Sequence, residues 1–161
     1  MFSAPDTSHD QHAAVSPRRF RRVLVAWDAS ADAIAALRAA AAVVGDESGL
    51  VVALAILPVA THLEQERAQG GAELEGAERA ERVFDLVRES VAATSRARLS
   101  LQITEGRKVA PSICDYADEH GFDLLVLGRH SDGGLFHHKL GHVAEAAAKS
   151  SRIPVLLLGA Q

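Results

Sequence analysis

The sequence predicts an α/β fold, an open five-stranded parallel sheet with helices on both faces. The first reason is order: five short apolar segments alternate with four amphipathic ones, in the pattern βαβαβαβαβ. Such alternation is typical of parallel strands joined by crossover helices. The second reason is composition, because four of the strand segments are apolar throughout, as strands covered on both faces are. In the third segment Leu99, Leu101 and Ile103 alternate with polar residues, which indicates a strand nearer the sheet edge.

Length and composition predict one domain with a short tail. The chain has 161 residues, enough for one domain with a substantial core. Residues 1–20 are polar and lack periodicity, so we predict a disordered N-terminal tail followed by a domain at 21–161. The single cysteine, Cys114, suits a reducing compartment and is expected to be a small core residue. No secretory signal and no membrane span are recognised, which favours a cytoplasmic location.

The first half of the chain contains two predicted strands and one helix. Val23–Trp27 is a short apolar run that suits a buried strand. Ser30 is a good N-cap for the helix that follows, and this helix is expected to end near Gly45 or Gly49. Residues 50–57 form a second apolar strand, which Pro58 stops.

The second half contains three predicted helices and three strands. Residues 62–76 are polar and glycine-rich and are interpreted as a mobile loop. A helix with Phe84, Val87 and Val91 on its apolar face follows, then the alternating strand that Gly106 closes. The remaining predicted elements are a helix from about Val109 to Gly121, a strand over 122–127, an alanine-rich helix containing Val143, and a closing strand over 153–158.

Candidate ligand-binding residues lie where the predicted strands end. Ligands of open parallel sheets bind at the carboxyl ends of strands, where the connection direction reverses. Asp28, Pro58, Gly106 and Gly128 stand at those ends. Asp28 has two interpretations, a cap on the following helix or a hydrogen-bond acceptor for a ligand. After Gly128 a glycine-containing loop leads to Gly141 and a helix, the order of parts from which anion sites are built.

Several other functions are disfavoured. A net charge of -4 argues against a general nucleic-acid binder. The glycine patterns of P-loops and dinucleotide folds and the nucleophile elbow are absent, and the acidic residues that a phosphoacceptor receiver domain needs are missing. Four histidines (His130, His137, His138 and His142) lie close in sequence, but no cysteine or glutamate joins them and adjacent histidines point apart, so no metal site is expected.

The residues named so far resemble those of the universal stress protein family, in its single-domain form. The matching parts are Asp28-x-Ser30 after the first strand, a second strand ending at Ile56 and Leu57, Gly106, Asp123-Leu-Leu-Val-Leu-Gly128, and Ile153-Pro154-Val155-Leu156-Leu157. The match runs from Arg22 to Gly159. It implies an adenine nucleotide alpha hydrolase-like, Rossmann-like sheet with strand order 3-2-1-4-5.

The resemblance also implies a site. Nucleotide-binding members carry glycine, two residues, glycine, nine residues, glycine, then serine or threonine. That frame falls on Gly128, Ser131, Gly141 and His142, so the spacing is kept and two residues are substituted. The residues implied around an adenine nucleotide are Asp28, Ile56, Gly128, His130, Ser131, Gly141, His142 and Val143, with Arg129 and Lys139 as nearby cations.

Two functional hypotheses follow. In the first, a stress-response module binds ATP or a related adenine nucleotide and acts as a sensor, with Mg²⁺ only as the counter-ion of the nucleotide. In the second, the protein has lost nucleotide binding and works through dimerisation and partner interaction. Under both hypotheses we expect a homodimer that forms through the closing strand at 154–158. We also expect a possible regulatory protein partner and no binding to nucleic acid or to a membrane. No enzyme is expected, beyond at most slow ATP hydrolysis.

Overall fold

The protein forms the predicted five-stranded parallel sheet. The structure, a computed structural model, describes residues 20–44, 48–59, 71–129 and 140–159. Its strands are β1 (Arg22–Ala26), β2 (Leu50–Pro58), β3 (Arg98–Gly106), β4 (Leu124–Gly128) and β5 (Val155–Leu158), and its helices are α1 (Ala31–Val44), α2 (Gly71–Ala92), α3 (Val109–Glu119) and α4 (His142–Ser150). Every strand pair is parallel and the order is β3-β2-β1-β4-β5, which confirms the predicted fold and strand order.

The sheet separates two hydrophobic cores because successive side chains of a strand point to opposite faces. On one face α1 and α2 pack against Val23, Val25 and the corresponding residues of β2 and β4. On the other face α3 and α4 pack against Leu24, Leu54 and Leu125. Helices therefore cover both faces, as predicted. Cys114 is buried in the second core, so its interpretation as a core residue is confirmed.

Helix α2 begins earlier than predicted. The interpretation of residues 62–76 as a loop is wrong from Gly71 onward, where the helix starts, and residues 62–70 lie outside the described ranges. A glycine in a helix costs roughly 1 kcal/mol, and this cost is outweighed because the 22-residue helix buries Phe84, Val87 and Val91 in the core. Despite this length, no helix within the described ranges is apolar enough to cross a membrane.

The ends of the chain's folded part also differ slightly from expectation. Phe20, which the sequence assigned to the tail, packs against the first core, and residues 1–19 lie outside the described ranges. The carboxyl group of Asp123 accepts hydrogen bonds from the backbone N–H groups of Arg21 and Arg22, at 2.9 and 3.1 Å. These bonds tie the start of β1 to the start of β4.

The strand order places a crevice between β1 and β4. Helix α1 leads from β1 to β2 on one side, whereas α3 carries the chain from β3 across to β4 on the other side. The two connections leave the middle of the sheet in opposite directions, so the described helices leave a crevice at the carboxyl ends of β1 and β4. Ligands of such sheets bind at this position.

Candidate functional site

A cleft of about 350 Å³ opens at the carboxyl ends of β1 and β4. This volume lies within the range of small-molecule sites, which are mostly apolar with a few placed polar groups. The walls follow that pattern, since β2 contributes Leu54 and Ile56 and α3 contributes Val109 and Ile113. The polar side chains of the lining are Asp28, Ser30, Arg129 and His142.

The turn between β1 and α1 places Asp28 at the cleft. Ser30, which is 2% exposed, caps α1, since its Oγ accepts the backbone N–H of Ala33 at 3.1 Å. Asp28 Oδ1 accepts the N–H of Ser30 at 3.0 Å, and between them Ala29 has a φ of 60°. The predicted N-cap is therefore confirmed as Ser30. Asp28 does not cap the helix but stabilises the turn that precedes it. Its other oxygen has no hydrogen-bond partner in the described part of the chain, and the carboxylate lines the cleft.

Gly128 is required by packing at the end of β4. A Cβ atom built on it would lie 2.7 Å from the Cβ of Asp32, 3.0 Å from the carbonyl carbon of Asp32 and 3.2 Å from the nitrogen of Ala33. These are closer than van der Waals contact allows. The absent side chain lets the first turn of α1 pack against the end of β4. The sequence pattern related this glycine to an anion site. The contact with α1 is by itself a sufficient reason for a glycine here, with or without a bound phosphate.

Backbone hydrogen bonds place the N-terminus of α4 in the cleft. The N–H of Gly141 donates to the carbonyl of Arg129 at 2.8 Å, and the N–H of Arg129 donates to the carbonyl of Leu158 at 2.6 Å. Gly141 is the N-cap of α4 and provides no side-chain cap. The N–H groups of the first turn, beginning at His142 and Val143, are therefore left to other acceptors. Groups of this kind, with the positive end of the helix dipole, favour anions.

The end of β2 presents a backbone edge to the cleft. The carbonyl of Leu54 accepts the N–H of Trp27 at 2.9 Å, so the backbone groups of Leu54 point toward β1. Backbone direction alternates along a strand, and Ile56, two residues later, therefore presents its N–H and C=O to the same side. Strand β1 ends at Ala26, opposite Leu54. In the described structure Ile56 consequently has no strand partner on the cleft side.

Trp27 anchors the base of the cleft, a role that the sequence did not indicate. Its indole Nε1 donates to the backbone carbonyl of Ala80 at 3.1 Å, and its ring meets that of Phe84 edge to face, with centroids 6.0 Å apart. The side chain is 3% exposed. Val109 and Ile113 of α3 were also missed as lining residues. Their spacing of four, directly after Gly106 at the end of a strand, is the signal that could have indicated them.

The charges near the cleft come from β4, α4 and the β1–α1 turn. Arg129 and His142 are exposed cations or potential cations, and Asp28 is the carboxylate. On α4 the pKa of the Glu145 carboxyl is lowered, chiefly by a 2.6 Å hydrogen bond from Lys149 and by the charge of that lysine, with a smaller contribution from His142. Burial raises the pKa of the Cys114 thiol, which keeps it protonated and a poor nucleophile.

The cleft brings together most of the residues predicted for the site. Asp28, Ile56, Gly128, Gly141, His142 and Val143 all line it, and Arg129 joins them. His130 and Ser131 lie outside the described residues, as does Lys139. Among the residues that are described, no group of three or more potential metal ligands occurs. Three of the four histidines considered as a metal cluster are outside that set, so the cluster as a whole is not tested.

Comparison with known proteins places the chain in one family. The model of the universal stress protein family matches residues 19–159. No curated protein sequence matches the chain. Among solved structures, universal stress protein UspA from Lactobacillus plantarum has a TM-score of 0.77 and 22% identity, over 88% of this chain and 99% of that one.

Two further similar structures contain a nucleotide. A universal stress protein in complex with cAMP has a TM-score of 0.63 and 16% identity, over 89% of this chain and 100% of that one. A universal stress family protein from Arabidopsis thaliana with AMP bound has a TM-score of 0.61 and 16% identity, over 88% and 92%. At these identities the structural likeness concerns the fold. The family assignment rests on the family model, and on that basis this chain belongs to the universal stress protein family.

Proposed function

We propose that the cleft binds ATP or a related adenine nucleotide and that the protein acts in the cytoplasm as a sensing module of the stress response. The observation that supports this most is the meeting of three different groups in one cleft. These are the backbone edge of Ile56, which has no strand partner on the cleft side among the described residues, the carboxylate of Asp28 and the N-terminus of α4. They offer partners for a base, a sugar and a phosphate, in that order.

The base is assigned to the apolar end of the cleft. Ile56 offers one N–H donor and one C=O acceptor side by side, the combination that matches the ring nitrogen and amino group of adenine. The side chains around this edge are apolar and include Leu54 of β2 and Val109 and Ile113 of α3. A flat ring buried there replaces water against apolar surface, which is favourable at about 25 cal/mol per Å².

The sugar and phosphates are assigned to the polar end. The free acceptor of Asp28 suits a ribose hydroxyl, because a carboxylate accepts strong hydrogen bonds. The first turn of α4 and the side chains of Arg129 and His142 suit the phosphates. We assign Mg²⁺ to the nucleotide as its counter-ion and propose no metal site of the protein's own. We propose no catalytic function beyond, at most, slow hydrolysis of bound ATP.

The comparisons support adenine nucleotides as the class of ligand, with two different members of that class represented. One similar structure is of a protein in complex with cAMP, and another has AMP bound. Both ligands are adenine nucleotides with a single phosphate. The proposed assignment of His130 and Ser131 to the ribose and phosphates rests on the family pattern, since both residues lie outside the described ranges.

Calorimetric titration tests the proposal directly. ATP, AMP and cAMP are titrated into the protein, with GMP as the control for the base, and at least one adenine nucleotide is expected to bind more tightly than GMP. The absence of heat with all of them at millimolar concentration would contradict the proposal.

A variant of Asp28 tests the assignment of the ribose. In Asp28→Asn the side-chain oxygen can still accept the N–H of Ser30, so the turn is retained, but the negative charge is lost and an NH2 donor replaces the second acceptor. We expect the affinity for adenine nucleotides to fall about tenfold, which corresponds to roughly 1.4 kcal/mol. Asp85→Asn is the matched control, because Asp85 is an exposed carboxylate on α2 that pairs with Arg88 at 3.1 Å and does not line the cleft.

A homodimer is the second part of the proposal. Strand β5 is at the edge of the described sheet, and all four of its side chains are half-buried. An apolar edge of this kind favours pairing with a second copy. Light scattering that gives the monomer mass at all concentrations would contradict the dimer. If the protein is dimeric and binds no nucleotide, the alternative function is supported, namely an interaction protein that works through dimerisation and a regulatory partner.

A further inference from the structure

We propose that His142 makes the affinity of the cleft for nucleotide phosphates depend on pH, so that binding tightens as the pH falls. This inference rests on the proposed function, since it concerns the same cleft. Three observations carry it: His142 lines the cleft, its side chain is exposed, and it is the first residue of α4 after a cap that lacks a side chain. His142 therefore belongs to the same first turn of α4 as the N–H groups assigned to the phosphate.

The charged groups around His142 come from three parts of the fold. Arg129 extends from the end of β4 and Asp28 from the β1–α1 turn, while Glu145 is three residues further along α4 and bonded to Lys149. Glu145 experiences the charge of His142, which contributes to lowering the pKa of that carboxyl. Among the described residues the other walls add no charge, because α3 and β2 contribute apolar side chains there: Val109, Ile113, Leu54 and Ile56.

The chemistry of imidazole sets the direction of the effect. A neutral imidazole has one donor and one acceptor, whereas the protonated ring has two donors and a positive charge. A phosphate oxygen only accepts hydrogen bonds, so it binds the protonated ring more strongly. By linkage, a ligand that prefers the protonated imidazole binds more tightly as the pH falls. The neutral ring provides no such extra affinity.

The probe must not titrate in the same range as histidine. A phosphomonoester such as AMP has a second pKa of about 6, and its own change of charge would obscure the effect. In cAMP the phosphate is a diester with one constant negative charge, so any dependence of affinity on pH must come from the protein. Adenosine lacks a phosphate and provides the control ligand.

The experiment compares cAMP and adenosine at about pH 8 and about pH 5.5, on either side of the ordinary histidine pKa of roughly 6.5. We expect the affinity for cAMP to increase about threefold at the lower pH, the size of effect typical of one exposed charge pair. Adenosine is expected to bind equally at both values. His142→Gln keeps a donor and removes the titration, so its affinity for cAMP should not change with pH.

His120→Gln is the matched control variant. His120 is an exposed histidine at the C-terminus of α3, where its Nδ1 lies 3.0 Å from the carbonyl of Tyr116, and it does not line the cleft. This variant should retain the full threefold increase, because the substituted side chain does not line the cleft.

The outcomes separate the inference from the proposed function. If cAMP binds with the same affinity at both pH values, or if His142→Gln keeps the increase, the role of His142 is wrong and the binding function stands. The second result would assign the effect to another group. If neither cAMP nor adenosine binds at either pH while ATP or AMP binds in the calorimetric titration, the inference is wrong and the function stands. If no adenine nucleotide binds, both are wrong.

Discussion

Replacing Gly128 with alanine should destabilise the protein through a single steric conflict. The added Cβ would meet the Cβ and carbonyl carbon of Asp32 at 2.7 and 3.0 Å and the nitrogen of Ala33 at 3.2 Å. Two of these atoms are backbone, in the first turn of α1, and cannot rotate away as a side chain could. Either β4 or the start of α1 must move.

The size of the effect follows from the packing on both sides of the contact. Leu127, which precedes Gly128, is 1% exposed, and Ala33 on the α1 side of the contact is 2% exposed, so little space exists for relaxation. Extra methyl groups in packed interiors cost about 1–3 kcal/mol, and we expect the free energy of unfolding to fall by about 2 kcal/mol within that range. Urea denaturation followed by the fluorescence of Trp27, the single tryptophan, measures it.

Gly76→Ala is the matched control for this experiment. Its Cβ would lie 3.8 Å from the Cδ2 of Leu57, an ordinary contact, and Gly76 is within helix α2. Alanine there should stabilise the protein by about 0.5–1 kcal/mol, because glycine is a poor helix former. If Gly128→Ala is as stable as the parent while Gly76→Ala behaves as expected, the steric explanation of Gly128 is wrong.

Three other predictions concern the core and the ends of the sheet. Trp27→Phe leaves the carbonyl of Ala80 without its 3.1 Å indole donor and should lower the free energy of unfolding by about 1–2 kcal/mol, measured in urea by circular dichroism because this variant has no tryptophan. Asp123→Ala removes two acceptors from the backbone at the start of β1, and we expect a loss of about 1–2 kcal/mol in the same assay. Burial raises the pKa of the Cys114 thiol in the folded protein. The contribution of this thiol to the free energy of unfolding is therefore fully present below the pKa of an unfolded cysteine, roughly 8.5, and is lost as the pH rises through the higher pKa of the folded state. Cys114→Ala should remove the loss of stability at alkaline pH that this thiol causes. In the parent protein, iodoacetamide should alkylate Cys114 more slowly in the native state than in urea, and equal rates would contradict its burial.

Much of the fold was predictable because its signals are local. Apolar runs such as Leu50–Leu57 indicate strands covered on both faces, and Ser30 is a cap whose preference arises within four residues. The start of α2 was not predictable in this way. The glycines near Gly71 are typical of a loop, and the burial of Phe84 and Val87 against the sheet, which favours the helix, is a tertiary effect.

The candidate site divides along the same line. The positions of Asp28, Gly128 and Gly141 follow from the ends of strands and from spacing. Val109 and Ile113 line the cleft, and Trp27 anchors it, only because of which strands are neighbours. The residues adjacent in sequence do not indicate such contacts across a cleft.

By itself, the sequence determined the parallel sheet, the alternating strand at its edge and the places of Asp28, Gly128 and Gly141, because periodicity and strand-end chemistry are properties of short segments. Ile56, His142 and Val143 were implied by the family resemblance alone. Only the tertiary structure decided why Gly128 is glycine and how Asp28 is used. The first depends on the 2.7 Å approach to α1, and the second on a turn in which one carboxylate oxygen bonds Ser30. The first contact exists only after α1 has packed against β4, since distances between separate elements are set by the whole core. The turn of Asp28 is local, but the cleft that its carboxylate lines forms only when β1 and β4 are neighbours.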